Sequence, residues 1–285
     1  MAEAGSAKAA QAEFWNSPAA RGWADQHARM DRALVPLLEA LLQAATPQLG
    51  ERVLDIGCGS GTTTLELAAR VGPSGHVLGA DIAETSVARA RERIADSGLR
   101  QAEVIAADAA AHAFPAASFD LLFSRLGVMF FADPTAAFAN IRRAMKASAR
   151  VVLGVIRAAS ENVWPAGPTS AVRHLLPPIP TPGPEEPGPF SWADPARVRR
   201  ILEGAGFREI FLTPLDWPVR LAPPGGAAEA ADFMLVFGPL TRIMPSLPAA
   251  QQAAVRSTLE TYFKDHDGPE GVTLSAANWI VQARA

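Results

Sequence analysis

The chain has 285 residues, with 26 basic and 29 acidic side chains that give a formal net charge of −3. This length suits one large domain with insertions, and the balanced charge argues against nucleic-acid binding, which normally needs clustered Lys and Arg. The single cysteine, Cys58, excludes a disulfide within the chain and a cysteine-rich metal site, and the five histidines show no metal-ligand spacing. We therefore expect no bound metal.

The first 48 residues predict a helical cap that precedes the main domain. Residues 1–12 are rich in Ala, with Glu and Lys, and lack the apolar core of a signal peptide; no apolar run reaches the ~18 residues of a membrane helix. We therefore expect a cytoplasmic protein without membrane insertion, either a monomer or a homodimer. Trp15, Trp23 and His27 lie in this cap, ahead of a helix with one apolar face. Two interpretations stay open for the aromatic residues: they fold over a ligand, or they pack onto the sheet.

The most informative stretch reads VLDIGCGSGTTT and covers residues 53–64. A short buried strand leads into Asp55, three glycines at 57, 59 and 61, and threonines that open a predicted helix at 62–71. Glycine tolerates positive φ and lets a ligand approach the backbone, and the start of a helix offers free N–H groups. The pattern predicts that a nucleotide-like cofactor lies across this turn.

The glycine spacing distinguishes two classes of cofactor. A dinucleotide loop has the pattern G-x-G-x-x-G, with the pyrophosphate on the helix N-terminus. Here the pattern is G-x-G-x-G, and Asp55 stands two residues before the first glycine. Its carboxylate would repel a pyrophosphate and could hold a cationic amine. An NAD(P)-linked oxidoreductase is therefore disfavoured and stays as an alternative.

Two further acids end the next two predicted strands. Residues 76–80 read as a strand that Asp81 ends, 20 residues after Gly61 and close to the ~20-residue offset of an acid that binds ribose hydroxyls. A helix is predicted to begin near Glu84, and its basic run at 89–93 alternates with acids, which is typical of a solvated helix face. Residues 103–107 read as the third strand, ended by Asp108.

The remaining elements continue the alternation of strands and helices. The predicted strands are 119–123, 150–156, 207–213 and 278–283, and the predicted helices are 134–145 and 194–205. Such alternation implies an α/β fold with a doubly wound, mostly parallel sheet and helices on both faces. Ser124 and Arg125 would emerge at the carboxyl end of the fourth strand, where open α/β sheets bind ligands.

The Asp-and-glycine loop, the two later acids and the stretch SFDLLFSR at 118–125 together resemble the class I S-adenosylmethionine (SAM)-dependent methyltransferases. The resemblance covers roughly residues 50–215 and is to bacterial small-molecule methyltransferases, near the ubiquinone and menaquinone C-methyltransferases. It implies a Rossmann-like domain over 49–285, with seven strands of which the last is antiparallel. The segment KASA at 146–149 departs from the Lys-Pro-Gly-Gly usual in the family, which puts the geometry of that turn in doubt.

The resemblance implies SAM as the cofactor and a role for each motif residue. Asp81 would accept hydrogen bonds from the ribose, and Asp108 from the adenine amino group, with the backbone N–H of Ala109 meeting the ring. Cys58 is interpreted as a small apolar residue in a tight turn rather than a reactive thiol. The full predicted cofactor set is Asp55, Gly57, Cys58, Gly59, Gly61, Thr62, Asp81, Ile82, Asp108, Ala109, Ser124 and Arg125.

Three segments outside this core are candidate walls of a substrate pocket. They are the cap, the run at 126–131, and an insertion at about 225–268 that Phe233, Phe237, Leu240 and Ile243 mark as an apolar helical lid. A second lid insertion is predicted near 160–190, around a Pro-rich loop. The predicted substrate-binding residues are Trp15, Trp23, Met129, Phe130 and Trp164, although a Met-Phe-Phe run is more often core.

The cofactor's chemistry limits what the protein must supply. A sulfonium methyl is already activated, so the protein mainly aligns donor and acceptor for in-line displacement, and a general base helps only a protonated acceptor. His27 is the predicted base, and Arg125 is predicted to bind an acidic substrate group or the cofactor carboxylate, with a structural salt bridge as the alternative. We expect methylation of an O, N or C atom of a small, aromatic or apolar molecule. A SAM-binding protein without catalysis remains an alternative.

Overall fold

The computed structural model describes residues 11, 13–17, 21–180, 182–236 and 238–285. Phe237, most of residues 1–12 and the side chain of Trp23 lie outside the described part, and so the expectations that concern them stay as predictions.

A single sheet forms the middle layer of the described chain. Its strands lie in the order β3-β2-β1-β4-β5-β8-β6, and a two-residue strand, β7, pairs with β8 beside this path. The pairs among β1 to β5 are parallel, whereas β8 is antiparallel to both β5 and β6. The strands are β1 Arg52–Ile56, β2 His76–Asp81, β3 Ala102–Ala106, β4 Phe119–Arg125, β5 Met145–Ile156, β6 Arg208–Ala222, β7 Asp267–Gly268 and β8 Gly271–Arg284.

The helices cover both faces of this sheet. They are α1 Arg21–Asp25, α2 His27–Ala33, α3 Val35–Ala45, α4 Thr62–Val71, α5 Glu84–Ser97, α6 Pro134–Ala144, α7 Val163–Ala171, α8 Pro195–Gly204, α9 Ala227–Leu235, α10 Leu240–Ile243 and α11 Ala249–Lys264. Within the described residues, no helix has both the length and the apolarity that crossing a membrane requires.

Each central strand is buried on both faces, as a parallel sheet requires. In β1, for example, Val53 packs in the core shared with α3 and α4, and the next residue, Leu54, packs in the core shared with α6 and α8. Successive side chains of a strand point to opposite faces, and so one strand serves both cores. The predicted α/β, doubly wound fold with an antiparallel last strand is confirmed, and the two-residue β7 brings the described sheet to eight strands where seven were expected.

Three strands are longer than predicted. The strand expected at 150–156 begins at Met145, so the segment KASA at 146–149 lies within β5 and is not a turn. The strands expected at 207–213 and 278–283 extend over Arg208–Ala222 and Gly271–Arg284, and the two pair along most of their length. Asn278 pairs with Ile156, the last residue of β5. Because β8 is antiparallel to β5, the part of β8 before Asn278 lies beyond the carboxyl end of β5.

This extended hairpin carries the helices α9 to α11 at its far end, beyond the carboxyl end of β5. Its base is fixed by buried polar contacts: Trp217 Nε1 donates to Asn278 Oδ1 over 2.8 Å, and Asn278 Nδ2 donates to the Val155 carbonyl over 3.2 Å. The insertion predicted at about 225–268 is mostly helical, because it contains α9, α10 and α11. Phe233 and Leu240 belong to the same core cluster as α3.

Candidate cofactor and substrate site

The three glycines after β1 all have positive φ, of 70° at Gly57, 54° at Gly59 and 85° at Gly61, but each faces different surroundings. A Cβ at Gly57 would lie 2.5 Å from Gly127 Cα, and one at Gly61 would lie 2.9 Å from Ala90 Cβ. These two glycines permit close packing against the loop after β4 and against α5. At Gly59 a Cβ would meet no described residue within 4 Å, so this glycine borders open space in the part of the chain that the structure describes. Gly59 is thus the glycine that a ligand can approach.

Asp55 is a fully buried acid at the end of β1. Its Oδ2 accepts hydrogen bonds from the hydroxyls of Thr63, over 2.6 Å, and Thr64, over 2.7 Å. Its Oδ1 is buried and has no hydrogen-bond partner among the described residues. Burial raises the pKa of Asp55 to about 6, although both threonines and the charge of Arg125 lower it. This carboxylate therefore favours a cationic partner at Oδ1.

Arg125 ends β4, the strand beside β1. Its Nη2 donates to Asp31 Oδ1 over 3.0 Å, and its side chain is only 12% exposed. Its Nη1 is buried and has no hydrogen-bond partner among the described residues. A buried acceptor at Asp55 and a buried donor at Arg125 thus lie at neighbouring strand ends. Since leaving such groups unsatisfied costs about 1–3 kcal/mol each, they fit a ligand with an ammonium and a carboxylate, as the amino-acid end of SAM has.

Asp81 joins the ends of β1 and β2. Its Oδ2 accepts from the backbone N–H of Gly59 and its Oδ1 from that of Ala83, both over 2.8 Å. Burial raises the pKa of Asp81 above its ordinary value, while these backbone hydrogen bonds lower it. A carboxylate has about four lone-pair sites, so two backbone donors leave capacity for a ribose diol.

Substituting Asp81 by alanine is expected to weaken SAM binding by about 1.5–3 kcal/mol, the range for hydrogen bonds to a charged group. Asp194→Ala is the matched control, because Asp194 also accepts from two backbone N–H groups, at the start of α8. Calorimetry should show the affinity loss only for the Asp81 variant. Equal SAM affinities of the two variants would rule out the ribose role.

The loop after β3 holds the predicted adenine residues. Asp108 Oδ1 accepts from the backbone N–H of Ala110 over 2.9 Å, and the carbonyl of Ala109 accepts from Asn140 Nδ2 over 3.0 Å. The loop is therefore fixed by its own turn and by α6. The adenine role of Asp108 and Ala109 stays a prediction.

Cys58 and Ser124 both serve the protein's own packing. Cys58 is buried, and burial, followed by the charges of Asp81 and Asp55, raises the pKa of its thiol well above the ordinary value. This supports its interpretation as a small apolar residue. The Ser124 hydroxyl donates to the Ile56 carbonyl over 2.7 Å and accepts from the Gly127 N–H over 3.2 Å. It therefore joins the ends of β1 and β4, and a direct contact with a cofactor stays a prediction.

The described part of the cap lies across the loops after β2 and β4. Asn16 Nδ2 donates to the Ile82 carbonyl over 3.0 Å, and Asn16 Oδ1 accepts from the Glu84 N–H over 2.9 Å. The rings of Trp15 and Phe130 meet edge to face, with centroids 5.2 Å apart. Two of the predicted substrate residues are thus brought together beside the carboxyl ends of β2 and β4.

Met129 and Trp164 lie in the cores instead. Met129 is 2% exposed, and its Sδ accepts from the Ile156 N–H over 3.3 Å, while Trp164 is 5% exposed in the core cluster shared with α3. In this structure both side chains serve packing. A contact of either side chain with a substrate stays a prediction.

His27 begins α2, one helical turn before Asp31. Its Nδ1 lies 2.8 Å from the carbonyl oxygen of Ala24. Because a carbonyl oxygen only accepts, Nδ1 carries the proton, and Nε2 of the neutral ring keeps a lone pair. Residues four apart share a face of a helix, so His27 points to the same side as Asp31. The base role of His27 stays a prediction.

Two further residues belong to the site although the sequence did not predict it: Asp31 and Arg93. Asp31 accepts from Thr62 Oγ1 as well as from Arg125. Arg93 donates to the Ser60 carbonyl over 2.7 Å and to Thr62 Oγ1 over 2.8 Å, so it braces the glycine loop and is not part of a solvated helix face. The signal for Arg93 was its spacing: it lies three residues after Ala90, on the buried side of α5.

Across the part of the chain that the structure describes, no group of three or more His, Cys, Asp or Glu side chains could hold a metal ion.

Comparisons with known proteins agree with this geometry. A family model described as a methyltransferase domain matches residues 53–148. Aklanonic acid methyltransferase of Streptomyces sp. strain C5 is 31% identical over 195 residues, which cover 61% of this chain and 83% of that protein. Nocamycin O-methyltransferase of Saccharothrix syringae is 37% identical over 134 residues, 47% of this chain and 48% of that protein. The match thus spans about half the length of the second relative.

Solved structures show the same fold. The YcgJ protein from Bacillus subtilis has a TM-score of 0.57 at 16% identity, over 87% of this chain and 97% of that one. At such identity the likeness concerns the fold alone. The relative at 31% identity, of which the chain covers 83%, shows the family. The chain therefore belongs to the SAM-dependent methyltransferases.

Proposed function

We propose that the protein transfers a methyl group from SAM to an oxygen, nitrogen or carbon atom of a small, aromatic or apolar molecule. When bound, SAM supplies a methyl group already activated on a sulfonium. The observation that carries the proposal is the pair of buried atoms, Asp55 Oδ1 and Arg125 Nη1, that have no partner among the described residues. They lie at the ends of adjacent parallel strands, beside the one glycine of the loop that borders open space.

In this proposal, the charged residue at each strand end binds a different part of the cofactor. Asp55 accepts from the ammonium group and Arg125 donates to the carboxylate of the cofactor's amino-acid end. Asp81 accepts from the ribose hydroxyls, and Asp108 accepts from the adenine amino group. Charge-assisted hydrogen bonds of this kind are roughly twice as strong as neutral ones, so together they fix the donor in one orientation.

The acceptor is proposed to lie against Trp15 and Phe130. Their edge-to-face pair gives a rigid apolar wall beside the carboxyl end of β4, which excludes water and aligns a flat molecule. The names of the two relatives refer to small molecules, aklanonic acid and nocamycin, and one specifies an oxygen acceptor. We therefore favour an oxygen atom, such as a hydroxyl or carboxyl group. His27 Nε2 would take the proton from a hydroxyl acceptor.

A screen with methyl-labelled SAM tests this function. Phenols, quinones, amines and carboxylic acids are incubated with the protein, and the organic products are counted for label. We expect label in at least one oxygen-bearing aromatic class. Tight SAM binding without label in any acceptor class would contradict the proposal and favour a SAM-binding protein without catalysis.

A further inference from the structure

Asp31 joins the cap to three parts of the cofactor site. One oxygen, Oδ1, accepts from Arg125 Nη2 at the end of β4 over 3.0 Å. The other, Oδ2, accepts from the Thr62 hydroxyl at the start of α4 and lies 3.5 Å from Arg93 Nη1 on α5. The Asp31 side chain is only 19% exposed. One carboxylate thus receives two guanidinium groups and one hydroxyl from three separate elements.

The geometry of Arg125 depends on this carboxylate. A guanidinium group is planar and its nitrogens are fixed relative to one another, so holding Nη2 also fixes the direction of Nη1. Nη1 is the buried nitrogen with no partner among the described residues, and the charge of Arg125 reaches Asp55. Asp31 therefore sets the direction of the buried Nη1 donor of Arg125.

The hydrogen bonds of Asp31 lie between two other attachments of the cap to the rest of the protein. On one side Asn16 is hydrogen-bonded to the loop after β2. On the other side Arg29 pairs with Glu229 over 3.3 Å and lies over the Phe233 ring, 4.4 Å from its centroid. Between these two attachments, Asp31 accepts a hydrogen bond from Thr62, the first residue of α4. The cap is thus tied to both flanks of the site and to its centre.

We propose that Asp31 is a positioning residue, which aims Arg125 at the carboxylate of the cofactor. This rests on the proposed function, because Arg125 must meet the amino-acid end of SAM. It predicts that Asp31 matters for ligands that carry the amino-acid group and matters little for ligands that lack it. A purely structural Asp31 would affect both kinds of ligand equally.

The test compares two thioether ligands, S-adenosylhomocysteine, which keeps the amino-acid group, and methylthioadenosine, which lacks it. The variants are Asp31→Ala, Asp31→Asn, which keeps the shape and removes the charge, and Asp25→Asn as a control at an exposed acid of α1. For Asp31→Ala we expect about tenfold or more weaker binding of S-adenosylhomocysteine and less than about twofold weaker binding of methylthioadenosine. Asp31→Asn should show a smaller loss of the same selectivity, and Asp25→Asn none.

A double-mutant cycle tests whether Asp31 acts on the ligand through Arg125. In an Arg125→Ala background, Asp31→Ala should cause almost no further loss of S-adenosylhomocysteine affinity, because the group that Asp31 aims is gone. Equal losses for both ligands, unchanged affinities, or full additivity with Arg125→Ala would overturn the positioning role while leaving the proposed function intact. A wild-type protein that fails to bind SAM would overturn both.

Discussion

Replacing Gly59 by valine is expected to weaken SAM binding about a hundredfold or more while the sheet stays folded. Gly59 has a φ of 54°, and a Cβ built there meets no atom of the described residues within 4 Å. The protein itself therefore has room for a side chain at this position. The branched side chain would instead fill the space that the cofactor must approach, and it would also strain the left-handed backbone by about 1–2 kcal/mol.

Gly98→Val is the control that separates the effect of backbone strain from the effect of filling the space for the cofactor. Gly98 ends α5 with a φ of 71°, and a Cβ there also meets nothing within 4 Å. Both variants should therefore lose a similar amount of thermal stability. Calorimetry should find normal SAM affinity in the Gly98 variant only. If the Gly59 variant binds SAM as tightly as the Gly98 variant, the loop does not cradle the cofactor.

SAM affinity is expected to fall as the pH is lowered through about 6, the raised pKa of the buried Asp55. An ammonium group binds the ionised carboxylate, so binding requires that Asp55 lose its proton. At pH 5, one unit below that pKa, about a tenth of the carboxylate is ionised, and the affinity should be about tenfold lower than at pH 7.5. Titrations with SAM at several pH values across this range measure this pH step, the fall in affinity near pH 6.

In the ligand-free protein, Asp55 makes stability depend on pH in the opposite direction to an ordinary paired carboxylate. Burial raises the pKa of Asp55 from 3.8 to about 6, so between these values the folded, ligand-free protein binds more protons than the unfolded chain. The contribution of Asp55 to stability is therefore greatest below pH 3.8 and declines as the pH rises to about 6. A bound ammonium group reverses this by favouring the ionised form.

Asp55→Asn is the control for the pH step, because an amide oxygen can still accept from Thr63 and Thr64. The variant should bind SAM more weakly at pH 7.5 and lose the step near pH 6. Methylthioadenosine, which has no ammonium group, should show little of the step even with the wild-type protein. A step of unchanged size in the Asn variant would assign it to another group, such as Asp81, whose pKa burial also raises.

The strand ends of the site could be predicted because their signals are local. An apolar run followed by an acid and glycines fixes where β1 stops, and the helix predicted at 62–71 is found over the same residues. Parallel strands bring their carboxyl ends to one edge, and this rule alone predicts that Asp55, Asp81 and Arg125 lie near the same edge of the sheet.

Contacts between distant parts of the chain left no such signal. Asp31 and Arg125 are 94 residues apart, and nothing in the helix that contains Asp31 marks it as part of a site. The extension of β6 was also hidden, because Pro214 and Pro218 interrupt its pattern. β6 lies at the edge of the sheet, where proline is tolerated since one side needs no ladder hydrogen bonds.

Core and pocket wall also look alike in a sequence. Met129 and Phe130 are adjacent apolar residues, yet Met129 is packed in the core and Phe130 meets Trp15. Which of the two neighbours meets Trp15 depends on the short helical turn Val128–Phe130, in which Met129 is buried.

Calorimetric titration of the wild-type protein at pH 7.5 with SAM, and in parallel with NAD, tests the central claim most directly. The acid before the glycines and the buried Asp55 and Arg125 atoms favour an amino-acid end over a pyrophosphate. We predict a single SAM site per chain and no heat of binding with NAD. Binding of NAD, or no binding of SAM, would contradict the account.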